Sequence, residues 1–121
     1  MPDRPRVLLA DDHAGVAKAL SRALAVECDV VGVVADGSEV VAAAARLAPV
    51  VVVVDVNLPN VNGLDVCRRL TQENPRARVI VISAMIDDGI TEAALAAGAV
   101  SFVHKTAGHA LVAAIRQAWT R

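Results

Sequence analysis

Five short apolar runs rich in β-branched residues recur along the chain: Val7 to Ala10, Val30 to Ala35, Val50 to Asp55, Val79 to Ser83 and Val100 to Val103. The third, Val50-Val51-Val52-Val53-Val54, has no polar alternation. A strand of that kind has both faces buried, as the central strand of a parallel sheet does. Between the runs the period becomes that of a helix. Val16, Leu20 and Leu24 share one face, as do Leu111, Ile115 and Trp119. Ser38 fits the cap of a helix running toward Leu47, and Pro49 stops that helix before the next strand. Pro75 ends a helix holding Leu64, Cys67 and Leu70, and Gly98 fits the position just past a helix containing Ala93 to Ala97. The fourth helix, from about Asp87, has Gly89 in it and only a weak apolar stripe.

The order is therefore (βα)₅, an α/β class that predicts one parallel sheet, helices on both faces and right-handed crossovers. With 121 residues and no linker, internal repeat or low-complexity tract, one domain over residues 1–121 is expected. The composition changes one part of this picture: 55% of residues are hydrophobic but only 2% aromatic, so Val, Ala, Leu and Ile must build the core. Small and β-branched residues suit helices packed closely on a buried sheet.

A formal charge of −1, with no clustered basic face, predicts no general attraction to nucleic acid or anionic membranes. Cys28 and Cys67 resemble neither a disulfide framework nor a zinc site and read as reduced, partly buried thiols. The N-terminal Met1-Pro2-Asp3-Arg4-Pro5-Arg6 lacks the length and flanks of a signal peptide, and no apolar run reaches the roughly 20 residues a membrane helix needs. A soluble, cytoplasmic protein without a membrane partner is expected.

In an open α/β sheet, ligands bind beyond the carboxyl ends of the strands. The unusual polar residues collect there: strand one ends at Asp11-Asp12, strand three at Asp55, strand four at Ser83, and strand five runs out at Lys105. Three carboxylates so placed repel one another, and a hard divalent cation would offset that. Mg²⁺ suits the set, since it takes one or two carboxylates with waters and a phosphate oxygen. Lys105 could hold a carboxylate at rest and a phosphoryl oxygen later, and the Ser83 hydroxyl could donate to the same oxygen. Each residue alone has a plainer reading. An Asp pair at a strand end is often a helix cap, and a lone Ser or Lys after a strand is usually structural or solvated. The joint pattern across four strand ends is what argues against coincidence.

At these residues the chain resembles the receiver domains of two-component response regulators, from Val7 to about Trp119. The resemblance rests on Val7-Leu8-Leu9-Ala10-Asp11-Asp12-His13, on Asp55-Val56-Asn57-Leu58-Pro59-Asn60-Val61-Asn62-Gly63, on Ser83-Ala84, and on Phe102 three residues before Lys105. It implies a flavodoxin-like sheet of order 2-1-3-4-5. It also implies Asp55 as the nucleophile that accepts a phosphoryl group from a phosphohistidine of a sensor histidine kinase. Asp12, Asp55 and the backbone carbonyl of Asn57 would bind Mg²⁺ directly and Asp11 through water. Lys105 and Ser83 would bind the phosphoryl oxygens, and Phe102 would swing inward as Ser83 moves. Such a chain catalyses its own phosphorylation and is not a turnover enzyme. Thr106 stands where many relatives have Pro. Met85 offers an attacking water no good hydrogen bond, whereas Asn57 does, so slow to moderate self-dephosphorylation is expected. His13 and His104 flank the site as bystanders.

The segment Val103 to Arg116 is similar to receivers that precede a helix-turn-helix domain, so contact with DNA would belong to an output domain absent from this sequence. The Ala-rich fourth helix and the stripe Leu111, Ile115, Trp119 offer a homodimer surface, although core packing is the simpler account of the stripe. Two other readings stay open. A pseudo-receiver would use the same fold as a protein-binding module without taking phosphate. A haloacid-dehalogenase-like phosphatase shares the Asp, Ser and Lys, but requires a second carboxylate where Asn57 stands and more chain after the lysine.

Overall fold

The computed structural model describes residues 4–120. Its elements alternate without exception: β1 (Arg6–Ala10), α1 (Ala14–Ala25), β2 (Asp29–Val34), α2 (Gly37–Leu47), β3 (Val51–Asp55), α3 (Gly63–Glu73), β4 (Arg78–Ser83), α4 (Asp88–Ala96), β5 (Ser101–His104) and α5 (Gly108–Thr120). The strands form one five-stranded sheet in the order β2-β1-β3-β4-β5. Every pairing in it is parallel. This is the architecture that the apolar runs predicted, with strand limits moved by a residue: β3 opens at Val51 rather than Val50, and β5 covers Ser101–His104 rather than 100–103.

The valine run does what its lack of alternation implies. All five residues of β3 are buried, because the strand has neighbours on both edges and helices over both faces. Alternate residues feed two cores. Leu8, Val52 and Val54 point toward α2, α3 and α4, while Leu9, Val51 and Val53 point toward α1 and α5. Leu111 and Ile115 of α5 are buried in the second core, so core packing accounts for those two residues of the stripe, while Trp119 is half-buried. Each buried leucine or valine is worth roughly 1.5–3 kcal/mol of transfer free energy, and alanines on the helices let the layers approach closely.

Two local expectations need correction. Ser38 does not cap α2. Asp36 does, in extended backbone (φ −131, ψ 128), and Ser38 lies inside the first turn, donating to it from its N–H. A cap's side chain must accept from a backbone N–H just inside the helix. The helix already begins at Gly37, so only Asp36 stands at the right distance. Cys28 and Cys67 are fully rather than partly buried. Gly98 follows α4 at φ 105, as a residue ending a helix in the left-handed region does. Among the described residues no peptide bond is cis, the bond between Lys105 and Thr106 included.

Candidate functional site

Sheet register brings the polar residues together. Ala10 pairs with Val54, Asp55 with Ile82, and Ser83 with His104, so the last residues of β1, β3, β4 and β5 share one edge. The ladder continues a step past the strands: the N–H groups of Asp11, Val56 and Lys105 donate to the carbonyls of Val34 (3.0 Å), Ile82 (3.0 Å) and Ser83 (2.9 Å). These bonds fix the backbone from which each functional side chain projects.

Asp11, Asp12 and Asp55 converge there, each offering a carboxylate oxygen within 4.8 Å of the others. The pair does not behave symmetrically. Asp11 is buried and Asp12 exposed, so the cluster has a closed floor and an open lip. Lys105 Nζ lies 2.8 Å from Asp55 Oδ2 and 3.0 Å from Asp11 Oδ2, with side-chain exposures of 11% for the lysine, 3% for Asp55 and 0% for Asp11. Burial works against the ammonium, but hydrogen bonds to Asp55 and Asp11, together with their charges, outweigh it and raise the Lys105 pKa. Asp55 Oδ1 accepts the Asn57 N–H at 3.2 Å, and Asp11 Oδ1 accepts the His13 N–H at 2.9 Å. Asp11 Oδ2 is buried and accepts no hydrogen bond, although the lysine is in ion-pair contact with it. One partly buried cation facing three carboxylates leaves negative charge and an open lone pair over. A divalent ion fits that deficit, and the donor set is all oxygen, as Mg²⁺ requires.

The remaining predicted residues surround this cluster. Ser83 is buried, and its Oγ accepts the Met85 N–H at 3.0 Å. Phe102 is half-buried against the core on the α2–α4 side, paired in register with Val81. His13 caps α1 by accepting the Val16 N–H at 3.2 Å, and His104 Nδ1 accepts the Thr106 N–H at 3.1 Å, so both histidines have structural partners. Gly63 has a physical reason as well as a familiar spacing: a Cβ there would lie 2.1 Å from the Asp55 carbonyl oxygen. Sequence reasoning passed over Asp36 and Asn60, which hold the loop after Asp55. The Asp36-Gly37 pair carried the only local signal, and the Ser38 hydroxyl drew attention from it.

Comparison with known proteins agrees with this geometry. The family model described as the response regulator receiver domain matches residues 7–116. The transcriptional regulatory protein LiaR of Bacillus subtilis is 36% identical over 116 residues, covering 93% of this chain and 55% of LiaR. The probable transcriptional regulatory protein TcrX of Mycobacterium tuberculosis is 42% identical over 101 residues, covering 82% of this chain and 42% of TcrX. The chain thus spans about half the length of the curated relatives it matches. Among solved structures, the signal receiver domain of the putative response regulator NarL from Mycobacterium tuberculosis superposes with a TM-score of 0.92 at 29% identity, covering 99% of this chain and 100% of that one. A partly buried lysine against a carboxylate cluster at the carboxyl edge of a 2-1-3-4-5 sheet, and a family match running from β1 into α5, lead to one assignment: the chain belongs to the response regulator receiver domain family.

Proposed function

We propose that this chain is a phosphorylation switch that accepts a phosphoryl group on Asp55 from a phosphohistidine of a sensor histidine kinase in a Mg²⁺-dependent reaction. The observation that carries the reading is the convergence of Asp11, Asp12 and Asp55 within 4.8 Å with Lys105 Nζ 2.8 Å from the Asp55 carboxylate. Asp12, Asp55 and the Asn57 carbonyl would hold the ion directly and Asp11 through water. When bound, Mg²⁺ neutralises charge on the transferring group. An Asp55 carboxylate oxygen forms the new bond to phosphorus as the phosphorus–nitrogen bond of the donor breaks, its electron pair returning to the imidazole. Lys105 and Ser83 then hold the equatorial oxygens, which makes catalysis chiefly positioning and charge stabilisation. Nothing in this scheme turns over a separate substrate, so the chain is not an enzyme in that sense.

The phosphoryl group brings roughly −1.5 to −2 of charge but replaces a carboxylate, so the switch depends on geometry more than on net charge. Ser83 Oγ turns from the Met85 N–H toward a phosphoryl oxygen, and Phe102 follows into the space vacated, shifting the population between two packings. LiaR and TcrX are transcriptional regulators by name and about twice as long as this chain. The output is accordingly proposed to be transcription control through a DNA-binding part outside these residues. Among the described residues no helix is long and apolar enough to cross a membrane, which fits action in the cytoplasm beside the kinase.

Beryllofluoride, a phosphoryl mimic, provides the test. With Mg²⁺ present it should shift the amide resonances of Ser83, Phe102 and Lys105 in the wild type and leave Asp55→Asn unchanged. Shifts confined to residues distant from Asp55, or equal in the variant, would contradict the assignment.

A further inference from the structure

The loop between β3 and α3 carries Asn57, the proposed source of a backbone ligand to Mg²⁺, and part of its support comes from outside the loop. At its ends it is tied to the last residue of β3 and the one after it: the Asn57 N–H donates to Asp55 Oδ1 at 3.2 Å and the Gly63 N–H to the Val56 carbonyl at 2.8 Å. Leu58 is buried in the core. The rest is held by the first residues of α2. The Gly37 N–H donates to the Pro59 carbonyl at 3.1 Å, and the Asn60 side-chain amide donates to Asp36 Oδ2 across 24 positions of sequence. The fit is close enough that a Cβ on Gly37 would lie 1.7 Å from the Val61 carbonyl oxygen. Asn60 itself stands at φ 69, in the left-handed region that asparagine and glycine enter most readily.

Asp36 divides its carboxylate between two tasks. Oδ1 serves the helix, accepting the Ser38 N–H at 2.8 Å and the Ser38 hydroxyl at 2.7 Å, and Oδ2 serves the loop through Asn60. Capping a helix needs only the first oxygen. We propose that Asp36 is a positioning residue for the metal-binding loop, acting through Asn60 to hold Asn57 where its carbonyl meets the ion. This rests on the reading of Asp55 as a Mg²⁺-dependent acceptor and adds to it a control point at the cap of α2, remote in sequence from every metal-binding residue.

Two substitutions separate bracing from capping. Asp36→Ser keeps a cap of equal preference but is too short to reach Asn60. Asn60→Gly keeps the positive φ and removes the amide. Mg²⁺ alone would be titrated into wild type and variants, following the Asn57 and Gly63 amides by NMR, with thermal melting to confirm that each variant is folded. Loss of one ordering hydrogen bond should weaken Mg²⁺ binding about three- to tenfold in either variant. The double variant should be no worse than either single one, because both remove the same bond. Wild-type Mg²⁺ affinity in both single variants would overturn the brace while leaving the acceptor reading intact. Absence of any Mg²⁺-dependent shift in the wild type would overturn the acceptor reading and the brace with it.

Discussion

Replacing Lys105 with methionine removes the ammonium from between two buried carboxylates while keeping an unbranched side chain of similar length. In the wild type Nζ is 2.8 Å from Asp55 and 3.0 Å from Asp11, and neither carboxylate is more than 3% exposed. At an effective dielectric near 20, each contact has a gross attraction of about 5–6 kcal/mol. Desolvating the lysine offsets much of that gain, as it does in any buried pair. Removing one partner from such a group nevertheless costs about 3–5 kcal/mol, because the stranded carboxylates keep their own desolvation and repulsion. The exposed lip at Asp12 admits water, which favours the lower figure. We expect a loss of about 3 kcal/mol, or a fall in Tm of about 10 °C for a domain of this size. Urea unfolding followed by circular dichroism, in buffer free of divalent ions, measures it. Adding Mg²⁺ should narrow the gap, since the cation supplies the missing charge and binding to the folded state stabilises it. The pH dependence has a definite sign. Because folding raises the Lys105 pKa, its contribution is complete below the ordinary lysine range and is lost as pH climbs through the raised value. The wild-type advantage over Lys105→Met should therefore hold through neutral pH and shrink in strong alkali. A variant as stable as the wild type without Mg²⁺ would refute the idea that Lys105 offsets carboxylate repulsion.

Further consequences concern the nearby loop, a buried thiol and the lifetime of the phosphorylated form. Gly63→Ala would put a Cβ 2.1 Å from the Asp55 carbonyl oxygen. That overpacking should cost about 1–3 kcal/mol in thermal unfolding and slow phosphorylation by acetyl phosphate, whereas wild-type rates would contradict the proposed contact. Burial pushes the Cys67 thiol up to about 11, with the charge of Arg68 opposing more weakly. A pKa raised on folding stabilises fully below the thiol's ordinary 9.0 and loses its effect as pH rises toward 11, so stability should fall more steeply there in the wild type than in Cys67→Ala. Equal slopes would remove burial as the cause. Met85 has no side-chain donor to orient water, which leaves Asn57 alone for that task, so the phosphoryl group should persist for minutes or longer. A lifetime of seconds, read by intact mass against time, would contradict this.

The layered sheet was legible because its signals are local and repeated: five β-branched runs, each followed by a helical period, leave little choice of class. The carboxylate cluster was legible for a related reason, since polar residues that directly follow apolar runs must share one edge of a parallel sheet. The difference between Asp11 and Asp12 was not. Neighbouring side chains of an extended chain point opposite ways, and which one turns inward depends on register against β2 and β3. Asp36 was missed because its second oxygen is used on Asn60, a partner that only the folded chain supplies. Gly37 likewise looks like an ordinary turn residue until Val61 comes to rest against it.

The central claim, that Asp55 accepts a phosphoryl group, is tested most directly by weighing the intact protein after incubation with acetyl phosphate, with and without Mg²⁺, beside Asp55→Asn. The account predicts one phosphoryl adduct that requires Mg²⁺ and is absent from the variant. An unmodified wild type under conditions that label a known receiver, or an equal adduct on the variant, would contradict it.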